Sequence, residues 1–394
     1  MITVVYCLIQ FAYYLAFCSI INYASVYLTA CGLSNTLIGV TIAVGMIASV
    51  FITPVISSIA DRNHAITPKK ILIVMLVLLG ISGLLMTVFF HNGSTINAVL
   101  LCLAVILTQV SMPFVNALAT ESINAGVMIN FGLARGAGSI GYSVMSFTLG
   151  SVVASHSPRS IPIATLISCA VFCIFTLLYN DKVRSSAVVR TSANKESIFA
   201  FLKRYKGLTA LLIGASLVYA CHMYINTYVF QIVLSKGGNS RHMGIATSLA
   251  AFLEMTAMVV FPYLLTLRDC KFWFKISGFF FMLKSLMTLL VKSIPAFYAV
   301  QVIQPFGWGL LAVSSVYYIN DLMNENDKIK GQGFFSMTFT IGSIISSVTG
   351  GYLIDKFSVD FMLIVAVAAG IIGSLILFFN KVKKKGCNLI VASL

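Results

Sequence analysis

Charge is what this chain has least of. Only 9% of its 394 residues are Asp, Glu, Lys or Arg, against roughly 25% in a soluble domain. Acids are scarcer than bases, 11 against 26. So few charges cannot coat a water-exposed surface, which excludes an ordinary soluble domain. Metal-binding spacing is absent too. The nine cysteines are scattered, without Cys-x-x-Cys. Most of them (Cys7, Cys18, Cys102, Cys169, Cys173, Cys221) fall inside apolar runs, where cysteine acts as a small apolar side chain. No Gly-x-x-x-x-Gly-Lys-Ser/Thr loop occurs, so this chain is not expected to hydrolyse ATP. No nucleophile–His or metal-ligand cluster recurs at helical spacing, which argues against an intramembrane enzyme. Neither a cofactor nor a metal is expected.

What is present is hydrophobic length. Residues of the apolar class make up 59% of the chain, in runs of about 20 residues, the length of a membrane-crossing helix. Shorter alternating runs, the mark of a membrane barrel, do not appear. Twelve spans are predicted: 2–28, 35–59, 70–90, 97–119, 129–154, 160–179, 208–234, 243–267, 273–291, 294–318, 331–352 and 359–380. The first is too long for a secretory leader and lacks a cleavage site, so it reads as a span. The expectation is an all-α membrane protein with the lipid bilayer as its surroundings.

The formal charge of +15 could suggest a nucleic-acid partner. Its distribution points to topology instead. Nineteen of the 26 cations fall in the loops after spans 2, 6, 8 and 10 and in the C-terminal tail, and five in the loops of the other side. Under the positive-inside rule both termini are cytoplasmic, in a multi-pass protein of the cell membrane. The tail KVKKK reads as a stop-transfer anchor rather than a lipid-recognition patch. The polar stretch 180–207 splits the spans six and six. This suggests an N-terminal bundle over 1–179, a cytoplasmic linker over 180–207, a C-terminal bundle over 208–380 and a basic tail over 381–394. A weak internal symmetry supports the halving: PVISSIADR after span 2 has a counterpart in PYLLTLRD after span 8.

Charges inside the spans are costly, at roughly 2.5–3.5 kcal/mol each on insertion scales, and they mark function. Arg135 lies in FGLARGAGSIGY, residues 131–142, among Gly132, Gly136, Gly138 and Gly141. It could snorkel to the cytoplasmic edge of a tightly packed helix. It could instead face a polar cavity. A phosphate-cradling loop fails, because no strand precedes the glycines and no Lys-Ser/Thr follows. Arg135 and Tyr142 are seven residues apart, close to two turns, and share a face. A guanidinium offers five fixed donors, and an aromatic ring suits the C–H side of a sugar. Glu254 and Lys284 each lie about 11 residues into a span, about 16 Å deep at 1.5 Å per residue. A Glu254–Lys284 ion pair is the simplest arrangement that satisfies both, and Glu254 is the only deep carboxylate able to carry a proton. Asn226 and Gln231 are five apart, so at most one faces a cavity squarely. Gln301 and Gln304 share a face and could bind hydroxyls or join helices. His222 reads as a packing histidine. Asn22 and Tyr23, where span 1 breaks, are further cavity candidates.

Taken together, these features resemble a major facilitator superfamily transporter, and within it the lactose permease (oligosaccharide:proton symporter) branch. That resemblance implies two pseudo-symmetric six-helix bundles around one cavity. Asp61 and Arg62 match the superfamily's loop motif after span 2, whose Asp–Arg pair latches the cytoplasmic gate, although Ser57 replaces its glycine. The run 131–142 fits the permease's F-G-x-A-R-x-x-G-x-x-G-aromatic stretch. By resemblance Arg135 would bind sugar hydroxyls and Tyr142 would stack on the ring. Departures are equally plain. Asn116 stands where the permease has a carboxylate facing this arginine. Glu254 lies one turn from the permease's glutamate, which would fall at Ala251. Gln301, Gln304 and Gly307 replace its proton-coupling Lys, His and Glu. The reading is a secondary active transporter of a sugar, oligosaccharide or glycoside, proton-coupled, and a monomer. A transporter of a nucleoside, aromatic acid or drug is the alternative, and a non-transporting sensor is a weaker one.

Overall fold

The computed structural model describes residues 2–63, 65–90, 94–180, 198–205, 207–324 and 327–380. Among these residues the structure is helical throughout, with no strand. Twelve spans are present, each within a few residues of its expected ends. The N-terminal six are Ile2–Ala30, which is interrupted by a π turn at Cys18–Asn22, then Asn35–Arg62, Pro68–Val88, Ser94–Asn124, Phe131–Ser155 and Ser160–Leu178. The C-terminal six begin with Leu208–Thr227, continued by Val229–Ser235. They go on with Ser240–Leu267, Cys270–Leu290, Ile294–Leu322 (through a π turn at Pro305–Gly309), Lys328–Lys356 and Val359–Phe379.

Local chemistry sets the ends. The Thr67 side chain accepts from Lys70 N, and Pro68 occupies the first helical position, where its missing N–H costs nothing. Asn130, Asp269 and Ser358 cap the fifth, ninth and twelfth spans in the same way. Asn239 and His242 form a reciprocal capping box on the eighth. The eighth span bends by 49° between Ala257 and Val259. Pro262 explains this, since its ring removes the hydrogen bond to residue 258 and crowds that carbonyl. The eleventh span begins three residues before its hydrophobic stretch because its first turn is polar and basic. Hydropathy alone cannot see such a turn.

One apolar cluster (Tyr6, Ile9, Tyr13, Leu72, Val110, Phe172) lies wholly in the first half. Another (Leu208, Leu211, Val218, Phe274, Phe281, Leu322) lies in the second. Outward-facing Phe51, Val259 and Phe379 are each at least 70% exposed, as side chains that meet lipid must be. The linker assignment needs adjustment. Residues 181–197 and the tail from 381 lie outside the described residues, but Ile198–Arg204 is helical. Phe201 is fully buried there. Arg204 pairs with Asp327 at 3.1 Å, and Tyr205 donates to Asp327 at 2.6 Å. The end of the expected linker is therefore part of the C-terminal bundle.

The halves touch at the cation-poor end. Gly150 of the fifth span meets Gly244 of the eighth, and Gly39 of the second meets the backbone of the eleventh. At each crossing a side chain would collide with a facing backbone. Two tyrosines fix the crossings. Tyr23 donates to Ser146 O at 2.6 Å, and Tyr228 donates to Ser347 O. Ser143 bonds Ser248 at 2.8 Å. Asp355 accepts from Asn35 N and Nδ2 and from Thr36 N and Oγ1, all at 2.6–3.1 Å. Asp355, Gln231 and Ser240 hydrogen-bond across the halves at this end, and Ser143 does so nearer mid-span.

Candidate functional site

A cavity of about 550 Å³ lies between the bundles. The first, second, fourth and fifth spans line one side. The seventh, eighth, tenth and eleventh line the other. It extends toward the cation-rich end, where its lining residues Val316 and Ser336 are exposed.

The fifth span supplies Arg135, Ser139 and Tyr142 to the cavity, at the four- and three-residue spacing that keeps one helical face inward. Gly138 sets Arg135's surroundings. A Cβ there would overlap the Tyr14 ring, so glycine lets Tyr14 lie against this helix. The Tyr14 face then sits 4.7 Å from the guanidinium carbon, a cation–π contact. One guanidinium nitrogen, Nη1, is buried without a hydrogen-bond partner. Tyr142 lies beyond, 6.4 Å from Phe17, centroid to centroid.

The C-terminal half answers with mixed chemistry. Glu254 lines the cavity, with Ser139, Gln304, Arg135 and Lys284 as its polar and charged neighbours. The direct Glu254–Lys284 pair expected from the sequence is not made. Lys284 is only 3% exposed and lies behind the lining. Its Nζ donates to Gln304 Oε1 at 2.6 Å, and that same amide faces Glu254. An amide has both a donor and an acceptor, so it can stand between a cation and a carboxylate. Gln301 also lines the cavity, with its Nε2 donating to Phe297 O at 3.1 Å. His222 stacks on Trp308, with centroids 4.9 Å apart and planes 24° from parallel. Its other face meets Phe281. Its Nε2 lies 2.7 Å from Asn226 Nδ2. His222 packs, as the sequence implied, and it also lines the site.

Other sequence candidates are placed elsewhere. Asn116 is not among the lining residues. It accepts from Gln10 Nε2 at 3.4 Å, turned toward the first span and not toward Arg135. Gln231 lies at the cation-poor end, donating to Asn35 Oδ1 at 3.0 Å. Of the pair Asn226 and Gln231, then, only Asn226 reaches the cavity. Asn22 lines it and donates to Ser146 and Thr247, both at 3.3 Å. Tyr23 is sealed in the crossing just described. Arg62 is exposed at the end of the second span, and the Asp61 side chain lies outside the described residues.

Eight spans around a central opening, with four left outside, is the layout of the major facilitator fold. A model of the MFS_1 like family matches residues 3–365. The chain belongs to the MFS_1 like family. Solved structures agree on the fold of this MFS_1 like chain. The nucleoside transporter NupG matches with a TM-score of 0.79 and 16% identity, over 96% of this chain and 100% of that one. A bacterial homologue of the iron transporter ferroportin, in an inward-facing state, matches at 0.72 and 12%, over 96% and 98%. A POT family peptide transporter matches at 0.68 and 12%, over 98% of both. No curated protein matches the sequence.

The sequence reading missed several residues of this MFS_1 like cavity. Tyr14, Ser139, Gln109, Gln332 and Trp308 all line it. Trp308 left a trace: it is one of two tryptophans in the chain, set between Gly307 and Gly309. Tyr14 left none, because a tyrosine inside an aromatic-rich apolar run looks like packing.

Proposed function

We propose that this MFS_1 like protein is a secondary active transporter of a hydroxyl-rich solute, a sugar, oligosaccharide or glycoside, and that a proton drives it. The observation that supports this reading is the pairing across one cavity. Arg135 and Tyr142 stand on one bundle, and Gln301, Gln304, Asn226 and Trp308 on or beside the other. Fixed donors beside uncharged amides suit hydroxyls, and aromatic faces suit the C–H side of a pyranose. Cargo would enter between the bundles and be released by their rocking about the glycine crossings. On this reading the cavity would open to the cytoplasm, because the sealed end carries few cations. Glu254 would take up the proton. It is the only acid lining the cavity among the described residues, and its neighbours come from both bundles, so its charge bears on how they attract each other.

The fold's likeness to NupG supports a second reading, a nucleoside. The Trp308–His222 stack offers a flat ring surface for a base.

Uptake in proteoliposomes separates these. With an imposed pH gradient, a labelled sugar or glycoside should accumulate and a nucleoside should not. Nucleoside accumulation alone would replace the first reading by the second. No uptake of either would overturn both.

A further inference from the structure

We infer that the cargo carries a carboxylate, so that the solute is a sugar acid or an acidic glycoside rather than a neutral sugar. This rests on the sugar reading above and narrows it.

The argument is a balance of buried charge. The site's core holds two cations, Arg135 and Lys284, and one acid, Glu254. Lys284 is satisfied through Gln304 at 2.6 Å. Arg135 is not. It has no carboxylate within ion-pair distance among the described residues. Its aromatic neighbour Tyr14 satisfies only the face of the guanidinium. Its Nη1 is buried and unpartnered. A buried donor left unmade costs about 1–3 kcal/mol, more when charged. Proteins keep such a group where a ligand completes it. Arg135 lines the cavity, and a guanidinium can take a carboxylate in two parallel hydrogen bonds. A neutral hydroxyl would leave the positive charge uncompensated.

Glu254 lies beside the same guanidinium, and Lys284 of the ninth span and Gln304 of the tenth also face it. A cargo carboxylate at Arg135 would give the core two anions for its two cations.

The test is binding to the purified full-length protein at pH 6, read as thermal shift and as Kd. Its probes are a matched pair, phenyl β-glucoside and phenyl β-glucuronide, with 3-phenylpropionate beside them. The glucuronide should bind at least about tenfold tighter than the glucoside, the worth of about 1.4 kcal/mol. Arg135→Gln should erase the difference. Equal or tighter binding of the glucoside overturns the carboxylate inference and leaves the sugar reading standing. Binding of phenylpropionate alone keeps the inference and overturns the sugar reading. Binding of none of the three overturns both. Should Arg135→Gln fold poorly, Tyr14→Leu serves instead. It frees the guanidinium from its ring and should cut glucuronide affinity more than glucoside affinity. An equal loss for both counts against the inference.

Discussion

The two bundles share their mechanics and differ in their chemistry. In the first half, Tyr23 leaves a broken first span and bonds the carbonyl of Ser146 in the fifth. In the second half, Tyr228 leaves a broken seventh span and bonds the carbonyl of Ser347 in the eleventh. Each tyrosine stands at a glycine crossing, the fifth span on the eighth and the second on the eleventh. Lys69, at the start of the third span, donates to Leu177 O and Tyr179 O at the end of the sixth. Lys275, near the start of the ninth, donates to Phe378 O and Asn380 O at the end of the twelfth. Lysine at a helix C-terminus meets unpaired carbonyls and the negative end of the dipole. These devices recur six spans apart. The charged groups at the cavity do not. The first bundle offers one cation with an unpartnered nitrogen, and the second a carboxylate, an amide bridge and a hidden ammonium. Structure is repeated at the crossings between the halves. The charges diverge at the cavity.

Breaking the chemical half of this comparison should cost most. Arg135→Lys should lower uptake about 100-fold with the protein still in the membrane, as expected from losing charge-assisted hydrogen bonds at about 1.5–3 kcal/mol each. Retained uptake would remove Arg135 from the site. Glu254→Gln should abolish accumulation against a gradient while counterflow survives. If accumulation persists, the proton travels elsewhere. The Lys284–Gln304–Glu254 bridge is sharpened by a double-mutant cycle of Lys284→Met and Gln304→Leu on thermal stability. A coupling of about 1–3 kcal/mol is expected for contacting buried groups, and additivity would deny the bridge. The mechanical half predicts equality. Tyr23→Phe and Tyr228→Phe should each cost about 1 kcal/mol of stability, one hydrogen bond apiece. They should also raise labelling of cysteines placed beside the sealed end by similar amounts. A large asymmetry would mean that the two crossings do not work as a pair. Smallest of all, Lys69→Met and Lys275→Met should each lower stability by less than about 1 kcal/mol.

Much of this was legible before any coordinates. Hydrophobic length gave the twelve spans. Arg135, Tyr142, Glu254, Asn226, Gln301 and Gln304 all reach one cavity. Being costly in an apolar run is itself a signal of facing away from lipid. What failed had separate causes. Asn116 was placed by alignment to a motif, and a helix face cannot be fixed by alignment when the partner residue has changed. The Glu254–Lys284 contact was inferred from adjacency in sequence, but the tenth span inserts Gln304 between them. Tyr14 was invisible because its role depends on an absent atom, the Cβ that Gly138 lacks, in another helix.

The stack of His222 on Trp308 carries a practical corollary. Trp273, at the start of the ninth span, is the only other indole, tied by its Nε1 to Leu264 O and Arg268 O at the end of the eighth. Replacing Trp273 by Phe would leave a single indole, excitable apart from the tyrosines, positioned on the wall of the cavity and stacked on the His222 imidazole. Emission from that one ring would then report, without any added dye, each arrival and departure of a solute.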